Sequence, residues 1–163
     1  MTQILVAYGS KRGSTREVAE AIAGTLRGRG RIVEVQPAAE VEDLAAYDGV
    51  VLGGSLYFGR WHEDAVAFLK RHRDALRDRP LAVFALGPKT TAERDVAESR
   101  ARLDRALRDV EPATVAVFGG VVDPAKLRFP FNRLPASDAR DWDAIVAWAE
   151  EVESLLAGSE AAA

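Results

Sequence analysis

Apolar positions along the chain fall into two kinds of run that take turns. Ile4-Leu5-Val6-Ala7, Val50-Val51-Leu52, Leu81-Ala82-Val83-Phe84-Ala85-Leu86 and Thr114-Val115-Ala116-Val117-Phe118 are short and nearly unbroken. Such runs suit strands covered on both faces. Between them apolar residues recur every three or four positions, as helices with one buried face require. The sets are Val18, Ile22 and Leu26; Ala65, Phe68, Leu69 and Leu76; Val96, Leu103, Leu107 and Val110; and Trp142, Ile145, Val146, Ala149, Val152, Leu155 and Leu156. Ile32-Val33-Glu34-Val35 alternates instead, which marks a half-exposed edge strand. The predicted strands cover 3–8, 32–35, 49–54, 81–86 and 114–118. The predicted helices cover 14–27, 62–76, 92–109 and 138–156, with a short helical turn over 41–47. Pro124, Pro130 and Pro135 punctuate one long irregular connection over 119–137.

Strands alternating with helices predict an α/β fold, a parallel sheet with helices on both faces. Right-handed crossovers leave few arrangements for five such strands. No repeat or linker divides the chain, so one domain over 1–157 with a flexible tail over 158–163 is expected. Ligands of such sheets bind beyond the carboxyl ends of the strands, where the winding reverses. The loops that matter are therefore 9–15, 53–62, 87–91 and 119–137.

The first of these reads Tyr8-Gly9-Ser10-Lys11-Arg12-Gly13-Ser14-Thr15. A strand that turns through Gly, Ser and Thr into a helix presents free backbone N–H groups and the positive end of the helix dipole. Hydroxyls of Ser10, Ser14 and Thr15 add donors, and Gly13 lets the backbone approach a ligand. Ser14 also reads as an N-cap completing a capping box with Glu17, but that explains one hydroxyl of three and neither glycine. The spacing is neither that of a P-loop nor of a dinucleotide fingerprint. Alone, the loop indicates a phosphate cradle and leaves the ligand open.

The next loop, Gly53-Gly54-Ser55-Leu56-Tyr57-Phe58-Gly59-Arg60-Trp61-His62, sets three aromatics among glycines at the ligand edge. Tyr57, Phe58 and Trp61 would stack on a flat heteroaromatic ring for about 0.5–1.5 kcal/mol each, or fold back over the core. Gly59 supplies a peptide free to turn toward such a ring. His62 reads as a proton carrier or, more simply, as a helix-start residue with local hydrogen bonds. His72 sits at an inward helical position and reads as structural. Leu86, Gly87, Pro88, Lys89 and Thr90 complete the ligand edge after the fourth strand.

Composition removes several chemistries. The 163 residues contain no cysteine, which excludes disulfides, thiolate nucleophiles and Cys-based metal sites. Two histidines exclude a His-rich metal site. A net charge of −3 gives no strong field toward nucleic acid. The Arg27-Gly28-Arg29-Gly30-Arg31 cluster is explained by a helix C-terminus and solvent. The first strand begins near the opening Met and no run approaches a membrane span, so the cytoplasm is the expected location, with peripheral membrane contact left open.

Leu5 to Thr15 with its following helix resembles the phosphate loop of the flavodoxin family; Arg12 stands where that loop has its middle hydroxyl. Gly54-Ser55-Leu56-Tyr57-Phe58-Gly59-Arg60-Trp61-His62 is similar to a segment of the family's quinone-dependent protoporphyrinogen oxidase branch. Val117-Phe118-Gly119-Gly120 and Asp141-Trp142 resemble it more weakly. The resemblance implies a doubly wound sheet of order 2-1-3-4-5, one FMN, and electron or hydride transfer through it. It implies a small-molecule redox substrate such as protoporphyrinogen IX, and a quinone acceptor. The branch carries a longer basic and apolar insertion after its fifth strand. Here Lys126, Arg128 and Arg133 lie among Phe129, Phe131 and Leu134, where they would either hold a substrate's carboxylates or form a solvated loop. A carrier flavodoxin docking on redox partner proteins is the competing reading; such carriers are strongly acidic around the ring, which a net −3 with Arg60, Lys89 and Arg128 disfavours. A binding module without cofactor is a third. A phosphorylated receiver domain is set aside, because strand 3 ends Gly53-Gly54-Ser55 without an acceptor Asp.

Overall fold

Successive side chains of the first strand go to opposite sides and enter two different cores. Ile4 and Val6 join one cluster, Leu5 and Ala7 the other, and all four are fully buried. This is why the apolar run is unbroken: along it neither face of the sheet meets water. The computed structural model describes residues 3–10, 13–57, 60–87, 93–122, 133 and 136–162.

In chain order the elements are β1 (Gln3–Gly9), α1 (Ser14–Gly28), β2 (Ile32–Pro37), a 3-10 turn (Ala38–Glu40), β3 (Gly49–Tyr57), β4 (Arg60–Trp61), α2 (Glu63–Arg71) and α3 (Arg73–Leu76). They continue with β5 (Leu81–Leu86), α4 (Glu93–Ala106), β6 (Thr114–Phe118), β7 (Val121–Val122), β8 (Ser137–Asp138) and α5 (Trp142–Ala162). The five long strands are parallel in the order β2-β1-β3-β5-β6. Counting those strands alone, this is the expected order 2-1-3-4-5. β4 folds back antiparallel on the end of β3, and β7 and β8 form a separate two-stranded ribbon.

Helices α1 and α5 cover one face, contributing Val18, Ala19, Ile22, Leu26, Ile145, Trp148, Ala149, Val152 and Leu156. Phe84, Phe118 and Trp148 meet there with centroids 5.8–6.3 Å apart, two of the three pairs edge to face. The other face is covered by α2, α3, α4 and the segment through Val41, Leu44 and Tyr47. Each large apolar side chain so buried contributes about 1.5–3 kcal/mol.

Several boundaries differ from the sequence reading. The helical turn expected over 41–47 lies at Ala38–Glu40 instead. The helix expected over 62–76 breaks at His72, whose ring is buried against Phe68 with centroids 4.6 Å apart. The last helix starts at Trp142 and is helical to Ala162, past the expected end at 156. Its inward face is Ile145, Trp148, Ala149, Val152 and Leu156, whereas Trp142, Val146 and Leu155 are exposed. Arginines 27–31 do more than face solvent. Arg27 donates to the Val33 carbonyl, and Arg31 pairs with Glu153 at 2.9 Å, both 14% exposed, tying the α1–β2 turn to α5.

Candidate functional site

The turn from β1 into α1 is set by Gly13, which takes a left-handed φ of 85° that a side chain would strain. Gly13 therefore occupies the N-cap, and no side chain caps the helix. Its N–H donates to Ser10 Oγ at 3.1 Å, folding the loop on itself. Ser14, expected as the N-cap, is the first helical residue. The capping box with Glu17 does not form, because the left-handed turn falls one residue earlier. Glu17 instead accepts from Arg140 Nη1 at 2.6 Å. The next residue, Thr15, is fully buried, and its Oγ1 has no hydrogen-bond partner among the described residues. A buried hydroxyl without a partner costs on the order of 1–3 kcal/mol. Its position at an uncapped helix mouth suits an anionic oxygen. Lys11 and Arg12 lie outside the described residues.

Beside this loop, the tips of β1 and β3 present two bare peptides side by side, Gly9 opposite Gly54. A Cβ on Gly9 would lie 2.8 Å from His62 Nδ1, and one on Gly54 would lie 2.7 Å from Trp61 Nε1. The start of α2 thus seats directly on the sheet because neither strand has a side chain there. Trp61 turns inward, 5% exposed, and its indole N–H donates to the Gly54 carbonyl at 3.1 Å. His62 caps α2: its Nδ1 accepts the Asp64 N–H at 3.1 Å, and its own N–H donates to the Ser55 carbonyl at 2.9 Å. A neutral ring that accepts at Nδ1 carries its proton on Nε2. That Nε2 is buried without a partner among the described residues, in a side chain only 8% exposed.

Ser55 pairs with Leu86 across β3 and β5, and Leu86 is 2% exposed in the core under α1 and α5. Gly87, at φ 121°, brings its backbone against Leu56, whose carbonyl would lie 3.1 Å from an added Cβ. Ser10, Gly13, Ser14, Thr15, Ser55, Leu56, Trp61, His62, Leu86 and Gly87 are therefore gathered at the carboxyl ends of β1, β3 and β5. Tyr57 ends β3, and its backbone pairs with Arg60. Phe58, Gly59, Pro88, Lys89 and Thr90 lie outside the described residues, as do Lys126 and Arg128; Arg133 is exposed.

Two features escaped the sequence reading. The Gly9–Gly54 pair is visible only once the strand register is known. Arg140 is 10% exposed and bridges Asp138 at 2.7 Å to Glu17 in the first turn of α1. Its hydrogen bonds hold the Asp138 carboxyl below the usual carboxylate range, and Asp138 in turn raises the guanidinium. The guanidinium also lies 4.8 Å above the Trp142 ring. This strap ties the end of β8 to the first turn of the opening helix. Among the described residues there is no carboxylate or histidine group able to hold a metal, and no helix long and apolar enough to cross a membrane.

The chain is 30% identical over 84 residues to a protoporphyrinogen IX dehydrogenase [quinone] of Escherichia coli strain K12, covering 50% of this chain and 46% of that protein. It is 34% identical over 91 residues to an NAD(P)H dehydrogenase (quinone) of Cupriavidus metallidurans, covering 42% and 46%. The matches thus span about half the length of these curated relatives. Oxidised flavodoxin 1 of Bacillus cereus superposes with a TM-score of 0.59 at 19% identity, over 92% of this chain and 96% of that one. The Flavodoxin domain profile matches residues 5–134. With most of its length inside that match and its sheet in the same arrangement, the chain belongs to the flavodoxin-domain family.

Proposed function

We propose that the chain binds FMN at the β1–α1 turn and passes electrons from an organic donor to a quinone. The flavodoxin domain implies a flavin, and the loop favours a form with a terminal phosphate. The observation that carries this reading is the orphaned Thr15 hydroxyl, fully buried at an uncapped helix mouth beside left-handed Gly13. A phosphate there would accept from Thr15 and from first-turn N–H groups, and Ser10 and Ser14 border the same turn. Lys11 and Arg12 supply positive charge to the loop.

Bound FMN would supply reversible uptake of two electrons. The protein's part is to hold and shield it. Ser55, Leu56 and Gly87 would border the ring at the sheet tip, with Tyr57, Phe58, Gly59, Pro88, Lys89 and Thr90 in the adjoining loops. Trp61 would support that edge from beneath. His62 holds its proton on Nε2, a donor left for a bound group. A quinone is the element shared by the names of two relatives whose donors differ, which supports it as the acceptor class. Protoporphyrinogen IX is the donor we propose from the first of them, with Lys126, Arg128 and Arg133 as candidates for its carboxylates.

Thr15→Val tests the cradle, because valine matches threonine in shape and removes the orphan hydroxyl. FMN affinity should fall at least tenfold, about 1.4 kcal/mol. The stability of the apoprotein should stay level or rise, since no native hydrogen bond is lost. Unchanged affinity in a fluorescence titration would place the phosphate elsewhere. Anaerobic reduction followed by stopped-flow reoxidation separates the acceptors: fast oxidation by a soluble quinone supports the enzyme, and indifference to it favours a protein-docking carrier.

A further inference from the structure

A second concavity, of about 520 Å³, lies on the outer side of α2. One wall is a single stripe of that helix, Glu63, Val66, Ala67 and Lys70, spaced at three and four residues. The facing wall is a stripe of α4, Arg102, Arg105 and Ala106, and β4 closes the end with Arg60 and Trp61. The floor is apolar and the rim carries four cations against one carboxylate, on a chain whose acidic residues outnumber its basic ones, 25 to 22. The side chains of Arg60, Lys70, Arg102 and Arg105 make no hydrogen bond or ion pair with a described residue, whereas that of Arg100 on the same helix as the last two pairs with Asp104 at 3.0 Å.

Cations on both walls of an apolar trough repel one another, and Glu63 is the single lining carboxylate set against the four. A bound anion would offset the rest. The volume falls within the roughly 300–1,000 Å³ typical of small-molecule sites. We infer that the α2–α4 groove binds a small amphipathic organic dianion, its apolar body on Trp61, Val66 and Ala106 and its acidic groups on Arg60, Lys70, Arg102 and Arg105. Acidic groups at two ends are required because the cations lie on opposite walls, and guanidinium forks favour carboxylates or phosphates. The groove touches the sheet tip through Trp61, whose indole bonds Gly54, but shares no residue with the β1–α1 turn. The inference therefore stands independently of the flavin.

Isothermal titration of the full chain with naphthalene-2,6-dicarboxylate tests it, both with and without saturating FMN. The dicarboxylate should bind in both states, and 2,6-dihydroxynaphthalene, neutral at pH 7, at least tenfold more weakly. Arg102→Glu with Arg105→Glu should weaken the dicarboxylate at least tenfold and leave FMN affinity unchanged. Lys70→Glu on the opposite wall should do the same, guarding against a folding defect in α4. Absence of binding, equal binding of the neutral diol, or indifference to both sets of variants would overturn the assignment. Hexaglutamate binding more tightly than the dicarboxylate would overturn it in favour of an acidic protein segment. Loss of FMN binding alone would count against the cradle and not against the groove.

Discussion

Gly53 is the residue whose side chain the fold can least accept. A Cβ there would lie 2.0–2.5 Å from three atoms of the Phe84 ring, which crosses it from the neighbouring strand and is itself wedged against Phe118 and Trp148. The ring cannot swing aside without moving that aromatic group, so Gly53→Ala should cost about 1–3 kcal/mol, the range for overpacking a tight core. Urea denaturation measures this, and a loss under 0.5 kcal/mol would show the aromatic group to be looser than it looks. The Gly-Gly-Ser run was legible in the sequence as a ligand-edge loop. That Gly53 answers to packing was not legible, because Phe84 is 31 residues away and meets it only through the strand register. Ser14 failed as a cap for a related reason: the hydroxyl was visible, but the left-handed turn that displaced it was not.

At the level of elements, the apolar strands were read close to their places because burial on both faces leaves short unbroken apolar runs, although β3 runs on to Tyr57, past the expected end at 54. The last helix was less legible. Its apolar residues span more than one face, so periodicity alone could not choose the arc, and the sheet chose Trp148 over Trp142 and Val146. The break between α2 and α3 was also hidden, and it has a pH consequence. His72 sits at that break, 5% exposed, its Nε2 3.3 Å from the Val41 carbonyl. Burial first, then the neighbouring Arg71 charge, lowers its pKa from the usual 6.5. Below about 6.5 the unfolded chain takes up a proton that the folded chain does not. Stability should therefore fall as pH drops through that value and level off below the lowered folded pKa. His72→Gln should flatten this dependence between pH 7.5 and 5. An identical slope in the variant would show that other groups set it.

Taken whole, the molecule carries two proposed anion sites of different construction. Backbone N–H groups at the mouth of α1, with Gly13 and Thr15, would make the first, and side-chain cations between α2 and α4 the second. The first shows in the sequence as a helix mouth rich in Gly, Ser and Thr. The second does not, since Lys70, Arg102 and Arg105 look like ordinary solvated charges until the helices are set side by side. What joins the two regions is the seat of α2 on the bare peptides of Gly9 and Gly54. Space at that seam is a conserved quantity: any atom added to the sheet must be surrendered by the helix. Gly9→Ala alone should be destabilising, because its methyl would meet the imidazole at 2.8 Å. Joined to His62→Ser, which shrinks the opposing group while still accepting from the helix's first turn, it should regain most of the loss. A double variant no more stable in thermal melts than Gly9→Ala would mean that the imidazole contributes more to the seam than its bulk.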